Sequence, residues 1–213
     1  LLRRVNVQGT INVIRSCWRA GIQRLVYTSS IHAIAPVPHG VVIDERIPFE
    51  PNSLTDEYSR SKAEATLAVV DAAHQGLNAV IACPTGVIGP YDFRRSELGQ
   101  LILDCVEEKP QFYVDGAYDF VDVRDVASGL ILASERGQPG ESYILSGEQI
   151  SVNTLLTTIQ KSSDLHFPRL RIPISMARFA AQFTPTYYRL TKTKPRFTSL
   201  SLGVLESNSL ISH

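Results

Sequence analysis

A tyrosine and a lysine at Tyr58 and Lys62 have residue types and a spacing that indicate chemistry. Residues four apart in a helix lie on one face, so the phenol and the ammonium are neighbours. A phenol with its ordinary pKa of about 10 is a poor base at neutral pH, but a neighbouring ammonium favours the phenolate. The pair predicts a tyrosine that exchanges protons with a substrate. Because this spacing also arises by chance on helices, the surrounding residues decide its interpretation.

Two other segments contain groups that suit this chemistry. Thr28, Ser29 and Ser30 end a short apolar run, and residues 84–90 (PTGVIGP) follow the next one. Ligands of open α/β sheets bind at the carboxyl ends of the strands, so both segments are expected at one edge. A hydroxyl there holds a substrate oxygen while a tyrosine on the following helix transfers the proton. The loop over 84–90 offers backbone groups to a flat ring and its amide.

The elements that must position these groups follow from periodicity and turn residues. Apolar residues recur at helical spacing over 5–20, and Gly21 suits the end of a helix. Apolar runs between turn residues predict buried strands at 24–28, 78–83 and 142–145. The other predicted elements are a loop over 31–54, helices over 56–75, 96–108, 123–134, 151–161, 174–190 and 196–207, and strand-like pieces at 112–114, 120–122 and 170–172. Strands alternating with helices predict an α/β protein with a parallel sheet.

The composition is that of an ordinary globular protein. Of 213 residues, 44% are hydrophobic and 20% are charged, which excludes disordered, collagen-like and disulfide-dense chains. No run reaches the roughly 18–20 apolar residues that span a bilayer, so stable membrane insertion is not expected. Basic and acidic residues number 21 each, so the total charge does not call for a nucleic-acid partner. Cys17, Cys83 and Cys105 form no disulfide framework or zinc pattern and favour a reducing cytoplasm.

Five segments occur in a characteristic order: 5–10 (VNVQGT), 25–30 (LVYTSS), 58–62 (YSRSK), 84–90 (PTGVIGP) and 120–127 (FVDVRDVA). Together they resemble the extended short-chain dehydrogenase/reductases, the NAD-dependent epimerase/dehydratase family. The resemblance runs from residue 5 to near residue 160 and more loosely to the end. It implies the later part of a doubly wound parallel Rossmann-type sheet, with a small, mostly helical C-terminal substrate-binding part.

The resemblance implies a role for each motif residue. Tyr58 would be the general acid/base, Lys62 would bind the nicotinamide ribose and favour the ionised phenol, and Ser30 would polarise the substrate oxygen. Ser29 is the alternative for that last place. The implied cofactor contacts are Thr28, Ser29, Tyr58, Lys62, Pro84, Val87 and Asn6, with Pro84 and Val87 beside the nicotinamide. For Asn6, a role as a polar anchor of its own helix is an equally good interpretation.

Four residues near these motifs receive weaker interpretations. Asp122 and Asp125 are expected to brace loops on the substrate side rather than to react. His32 and His39 are expected in solvent or in the substrate pocket. The two histidines do not have metal-ligand spacing, so no metal is expected.

The glycine-rich turn of the family has no match here. The family opens with a strand and a GxxGxxG turn that hold the cofactor pyrophosphate, and none of the 13 glycines forms that pattern. The region that selects between NAD and NADP is also unmatched, so the expected cofactor is either of the two. The chain is therefore expected to be the later part of a longer enzyme and to bind dinucleotide poorly by itself.

The expected domains are a partial NAD(P)-binding domain over 1–148 and a helical substrate-binding part over 149–213. Residues 165–205 contain seven basic residues and no acidic one. This stretch predicts either a solvated basic face or a contact with an anionic group of a substrate or surface. The helix over 174–190 is expected to cap the substrate cleft, with contact to a membrane surface as the alternative.

Three functions stay open at this point. The strand end over 28–32 (TSSIH) lacks the acid pair of the dehydratases. Residues 31–35 (IHAIA) are similar to the dihydroflavonol reductase and 3β-hydroxysteroid dehydrogenase branch and to hopanoid-associated sugar epimerase-like proteins. The first hypothesis is an NAD(P)-dependent oxidoreductase that interconverts a secondary alcohol and a ketone on a small molecule. The others are an NAD-dependent sugar-nucleotide epimerase and a non-catalytic sensor or interaction module. A cytoplasmic homodimer through the helices over 5–20 and 56–75 is expected by analogy.

Overall fold

The computed structural model describes residues 1–182 and 210–212, and its helices and strands lie within residues 1–182. The helices are α1 (Gly9–Ala20), α2 (Glu57–His74), α3 (Glu97–Val106), α4 (Val123–Arg136), α5 (Val152–Ser163) and α6 (Ile174–Gln182). The strands are β1 (Leu25–Thr28), β2 (Ala79–Pro84), β3 (Gly86–Ile88), β4 (Gln111–Tyr113), β5 (Ala117–Asp122), β6 (Ser142–Leu145), β7 (Glu148–Ser151) and β8 (Arg169–Arg171). A π-helical turn over Arg4–Gln8 leads into α1, and 3₁₀ turns lie at Ile31–Ala33 and Pro51–Ser53.

The main sheet is parallel, with its strands in the order β1-β2-β6. Its register puts Tyr27 beside Ile81 and Thr28 beside Ala82, and it continues from Ile81 to Ser142 of β6. Every residue of β2 is buried, which explains why that segment is a continuous apolar run. The parallel strands and the helices between them confirm the predicted α/β fold class.

Helices cover both faces of this sheet. On one face, Val69 of α2 joins Ile81 of β2 and Ile144 of β6 in a cluster that α1 also contacts. The next residue of β6, Leu145, points to the other face because strand side chains alternate. There Gly129 of α4 comes so close that a Cβ would meet Leu145 Cδ2 at 2.8 Å. The main sheet is therefore packed between helices on both of its faces.

Side-chain caps set where the helices begin. Asp56 accepts a hydrogen bond from Ser59 N at 2.8 Å and so caps α2 one residue before it starts. Ser96 accepts one from Gly99 N at 3.1 Å at the start of α3. Gly21 ends α1 in the left-handed conformation, with φ of 59°.

The described residues form two compact units. Unit 1 contains 1–89, 119–148 and 210–212, and includes the main sheet and the parallel pair β3–β5. Unit 2 contains 90–118 and 149–182, and includes the parallel pair β4–β8. The expected division between residues 148 and 149 concerned binding roles and stays a prediction.

Unit 2 has its own small core. Cys105 of α3, Leu156 of α5 and Phe167 are buried together. A second cluster joins Val114 to Ala177 of α6. The strand pair β4–β8 lies over residues predicted to be strand-like, which confirms those short pieces.

The structure corrects the sequence analysis at several elements. The segment over 86–88, predicted as loop, is strand β3, and Val87 pairs with Val121. Strand β7, which was not predicted, precedes α5. The helix predicted over 5–20 is confirmed, but its first turn is a π-helix. The helix over 174–190 is described to Gln182, and the helix over 196–207 lies outside the described residues.

Candidate functional site

Helix α2 carries both members of the predicted reactive pair. Tyr58 lies in its first turn and Lys62 one turn later, and both side chains are half-buried. Because Asp56 caps this end of the helix, the backbone under Tyr58 is held by a hydrogen bond rather than left to fray. The spacing therefore gives the shared helical face that the sequence predicted.

Lys62 is held at the carboxyl end of strand β1. Its Nζ donates a hydrogen bond to Thr28 O at 2.8 Å and lies 5.1 Å from the centre of the Tyr27 ring. Both contacts favour the ammonium. Burial nevertheless lowers the pKa of Lys62 from its ordinary value. An ammonium has three donors, so the contact with Thr28 leaves capacity for a ligand hydroxyl.

The two serines after β1 are both buried, but their hydroxyl groups have different hydrogen-bond partners. Ser29 is buried, and its Oγ lies 2.5 Å from Thr66 Oγ1. Thr66 gives its only hydroxyl proton to Lys62 O at 2.7 Å, so Ser29 is the donor in the contact with Thr66. The proton of Ser29 is thus engaged inside the protein. Ser30 Oγ instead accepts a hydrogen bond from His32 N at 3.2 Å, and its own proton is not used by that contact.

His32 packs against the candidate acid/base. Its ring meets that of Tyr58 edge-on, with centroids 6.5 Å apart and planes at 71°. Burial lowers the pKa of His32 from its ordinary value, and the charge of Asp56 opposes that shift. The histidine therefore contributes an uncharged imidazole ring beside the phenol near neutral pH. His39, the other histidine considered for the pocket, is exposed on the loop over 31–54.

Ser30 lies between the contacts of the reactive pair. Lys62 binds the carbonyl of Thr28, two residues before Ser30, and Tyr58 packs against His32, two residues after it. The structure thus brings the phenol, the ammonium and a strand-end hydroxyl to one edge of the main sheet. Such an arrangement suits proton exchange with an oxygen of a bound molecule.

Asn6 is placed behind the reactive pair. Its Nδ2 donates to Ser61 Oγ at 2.9 Å, and Ser61 Oγ donates to Tyr58 O at 2.9 Å. Asn6 lies in the π-helical turn, a type of helix irregularity that is frequent at functional sites. Within the described contacts, Asn6 supports the helix of Tyr58.

The second strand end forms the neighbouring part of this edge. Ser29 N donates to Ala82 O at 2.7 Å, so the segment after β1 runs alongside the end of β2. Pro84 is buried as the last residue of β2, and Val87 of β3 is 38% exposed. An exposed apolar side chain beyond a strand end suits the face of a nicotinamide ring.

The thiol at the end of β2 is structural. Burial raises the pKa of Cys83 to about 12, and the charge of Lys62 only partly offsets this. A thiol with so high a pKa is not a nucleophile at neutral pH. Cys83 therefore packs under the site rather than reacting in it.

The aspartates of the 120–127 motif have local partners. Asp122 caps α4, accepting from Arg124 N at 2.8 Å and pairing with the Arg124 guanidinium. This pairing lowers the pKa of Asp122 to about 2. Asp125 lies in the first turn of α4. The contacts of Asp122 hold the start of α4, and bracing of substrate-side loops stays a prediction.

The described residues fit one end of a nicotinamide cofactor. The fit is carried by the half-buried Lys62 ammonium for a ribose hydroxyl and by exposed Val87 for a flat ring. In the described part of the chain, no group of three or more His, Cys, Asp or Glu side chains could hold a metal ion. Among the same residues, no helix is long and apolar enough to cross a membrane.

Sequence reasoning missed two buried hydroxyls, Ser61 and Thr66. Ser61 was part of the 58–62 motif but received no role, and Thr66 received none either. Their spacing was the available signal. Ser61 lies three residues after Tyr58, Thr66 lies four residues after Lys62, and both are on the buried side of α2. Their partners come from distant segments, and no local pattern indicates them.

The parallel α/β sheet with a Tyr–Lys pair at its carboxyl edge defines a Rossmann-type enzyme class. Residues 2–146 match the profile of the NAD dependent epimerase/dehydratase family. Sterol demethylase protein B of Methylococcus capsulatus is 34% identical over 207 residues, 95% of this chain and 62% of that protein. The putative dihydroflavonol 4-reductase of Synechocystis is 36% identical over 177 residues, 81% of this chain and 52% of that protein.

A solved structure supports the same assignment. The crystal structure of gox2253 has a TM-score of 0.81 and 31% identity, covering 99% of this chain and 64% of that one. The chain belongs to the NAD-dependent epimerase/dehydratase family of the extended short-chain dehydrogenase/reductases, as its motifs predicted. It spans 52% to 64% of the length of these three relatives.

Proposed function

We propose that the protein containing this chain is an NAD(P)-dependent oxidoreductase that interconverts a secondary alcohol and a ketone on a small molecule. The observation that carries the proposal is the position of Ser30 between the contacts of Lys62 and Tyr58. The three groups supply a hydrogen-bond donor, a positive charge and a transferable proton at one sheet edge.

The residues divide the work in the reduction of a ketone. Ser30 donates its hydroxyl proton in a hydrogen bond to the carbonyl oxygen, which orients the substrate. The nicotinamide, when bound, supplies the two-electron redox chemistry. Tyr58 gives its phenolic proton to the same oxygen as negative charge builds there, and Lys62 stabilises the resulting phenolate. In the oxidation direction, Tyr58 takes the proton from the alcohol.

Lys62 also holds the cofactor in this proposal. Its contact with Thr28 O fixes the ammonium near the strand end, and its other donors bind the nicotinamide ribose. Pro84 and Val87 contact the nicotinamide ring, Thr28 and Ser29 contribute backbone groups, and Asn6 supports the cofactor side through α2. The cofactor is NAD or NADP.

The names of two relatives support a substrate class. One similar protein is described as a putative dihydroflavonol 4-reductase and another as a sterol demethylase protein, both names that fit oxygen-bearing ring compounds. The uncharged ring of His32 and the exposed Val87 suit a substrate of that kind more than a strongly charged one.

A sugar-nucleotide epimerase is the second candidate, favoured by the basic stretch over 165–205. Of its described members, Arg169 donates to Thr157 Oγ1 at 2.6 Å and Arg171 pairs with Asp115. These contacts use part of the donor capacity that a diphosphate would need. A non-catalytic module is the third candidate, and the intact Tyr58, Lys62 and Ser30 set speaks against it.

Substitution of Tyr58 tests the proposal. In the complete protein that contains this chain, Tyr58→Phe is expected to reduce ketone-dependent NADPH or NADH oxidation about 10²–10⁴-fold, because general acid/base catalysis contributes that much. Tyr143→Phe is the matched control, since its hydroxyl accepts from Gln138 N elsewhere in unit 1. Undiminished turnover by Tyr58→Phe would contradict the proposal. Isomerised sugar nucleotide without net cofactor turnover would favour the epimerase instead.

The proposal also includes a dimer, a division of binding roles along the chain and a cellular location. A homodimer would form through α1 and α2, and α1 leaves Val13 at 50% and Trp18 at 46% exposed. Residues 1–148 would bind the cofactor and 149–213 the substrate. The protein would work in the cytoplasm.

A further inference from the structure

Two buried hydroxyls lie behind the reactive pair, one for each member. Ser61 bonds to the carbonyl of Tyr58, and Thr66 bonds to the carbonyl of Lys62. We propose that Ser61 and Thr66 are positioning residues that fix how α2 presents the phenol and the ammonium. This inference rests on the proposed function, because it assigns these hydroxyls to Tyr58 and Lys62 as reacting groups.

Ser61 ties Tyr58 to the π-helical turn. The side chain is 2% exposed, and its hydroxyl accepts from Asn6 Nδ2 and donates to Tyr58 O, both at 2.9 Å. A hydroxyl that bonds a carbonyl in the preceding turn changes the local bend of a helix. Asn6 belongs to the π-helical turn over Arg4–Gln8. Its bond to Ser61 therefore fixes the first turns of α2 relative to that turn.

Thr66 makes the corresponding link to β1. It is fully buried, donates to Lys62 O at 2.7 Å and accepts from Ser29 Oγ at 2.5 Å. Ser29 directly precedes Ser30, the candidate substrate-binding hydroxyl. Thr66 therefore fixes the backbone of Lys62 relative to the segment that carries Ser30.

The two links act on different members of the pair. The link through Ser61 ends on the residue that transfers the proton, and the link through Thr66 ends on the residue that binds the ribose. A misplacement on the order of 1 Å can cost about 10²-fold in rate. Loss of the Ser61 bond should therefore lower kcat, whereas loss of the Thr66 bond should also weaken cofactor binding.

Two substitutions at Thr66 separate positioning from packing. Thr66→Val keeps the shape but removes the hydroxyl, and Thr66→Ser keeps the hydroxyl but removes a methyl group. In the complete protein, Thr66→Val is expected to lower kcat and raise the cofactor KM, together by about tenfold in kcat/KM. Thr66→Ser should stay within about twofold of wild type. A packing role predicts the reverse order, and that result would overturn the assignment of Thr66.

Ser61→Ala and its control test the other link. Ser61→Ala is expected to lower kcat about tenfold with the cofactor KM unchanged. Asn6→Ala combined with it should add little, because both act through one chain of bonds. Ser134→Ala is the matched control, since Ser134 donates to Ile131 O at 2.7 Å in α4 in the same way. Equal kcat in Ser61→Ala and Ser134→Ala, both folded by circular dichroism, would overturn the inference.

Tyr58→Phe, assayed in parallel, distinguishes failure of this inference from failure of the proposed function. If Tyr58→Phe is inactive while Thr66→Val and Ser61→Ala keep normal kinetics, only the positioning inference is wrong. If Tyr58→Phe keeps wild-type turnover, the proposed function is wrong and the positioning inference is overturned with it.

Discussion

Strand β2 of unit 1 is buried at every residue, whereas strand β8 of unit 2 is exposed at every residue. Each strand pairs in parallel with a neighbour, so backbone hydrogen bonding does not distinguish them. The difference is what lies on their faces: helices cover both faces of β2, and Leu170 of β8 is half-exposed beside two arginines. Burial, rather than strand pairing, marks the part of the molecule that must hold atoms in fixed positions.

The polar contacts around the candidate site also differ from a surface ion pair of unit 2. Around the candidate site, the hydroxyls of Ser29, Ser61 and Thr66 are buried and bonded to one another or to carbonyls. In unit 2, Arg171 and Asp115 form an ion pair at the surface. Breaking a buried hydrogen bond leaves an unsatisfied group at a cost of about 1–3 kcal/mol, whereas exposed ion pairs contribute about 0–1 kcal/mol. Buried bonds therefore carry the geometry of the site.

Truncation of one residue in each strand gives the largest contrast. Ile81→Ala is expected to lower the free energy of unfolding by about 2–5 kcal/mol, because Ile81 is fully buried in β2. Leu170→Ala, at a side chain 51% exposed, should change it by less than about 1 kcal/mol. Urea unfolding followed by circular dichroism measures both. Equal losses would break the comparison.

Two glycines sharpen the comparison at an intermediate size. A Cβ at Gly147 of unit 1 would overlap the backbone of Phe120, so Gly147→Ala is expected to cost at least about 1–3 kcal/mol. At Gly99 of unit 2 the overlapping atom is the end of the exposed Asp92 side chain, which can move at the cost of its hydrogen bonds from Ser96. Gly99→Ala should therefore destabilise less, as thermal unfolding would show. A larger effect at Gly99 would contradict the view that unit 2 adapts more easily.

The surface ion pair of unit 2 predicts a smaller effect. Arg171→Ala is expected to lower the free energy of unfolding by no more than about 1 kcal/mol, since both Arg171 and Asp115 are mostly exposed. The difference from wild type should shrink in 1 M salt, where the Debye length is about 3 Å. A loss as large as that of Ile81→Ala would mean that this pair is part of a larger network.

The exposed ion pair of Asp122 and Arg124 lies in unit 1. It tests whether the exposure of an ion pair, or the unit that contains it, decides how much the pair stabilises the fold. Hydrogen bonding from Arg124 lowers the pKa of Asp122 to about 2 in the folded protein, below the unfolded value of about 3.9. The ionised carboxylate thus stabilises the folded state above the unfolded pKa, and this contribution is lost as the pH falls toward about 2. The urea midpoints of wild type and Asp122→Asn should differ slightly at pH 6 and converge near pH 2. A difference between the two urea midpoints that grows on acidification would contradict this prediction, because the ionised carboxylate would then destabilise the folded state.

Local patterns predicted the elements that depend on local physics. The helices around Tyr58 and in 96–108 were found because caps, periodicity and closing residues act within a few positions. The buried strand over 78–83 was found because its apolar run reports burial on both faces. Strand β3 was missed because glycines and prolines around it read as loop, and its pairing with Phe120 joins segments more than 30 residues apart.

The sequence by itself determined the family, the parallel α/β class and the shared face of Tyr58 and Lys62, because ordered motifs and helical spacing are properties of the chain. Only the tertiary structure shows that the two strand-end serines have different hydrogen-bond partners. It commits the proton of Ser29 to Thr66 across 37 residues and places Ser30 between the contacts of the reactive pair. It also joined Asn6 to Tyr58 through Ser61. The physical reason is that a hydrogen bond depends on distance in space, and folding rather than sequence separation sets that distance.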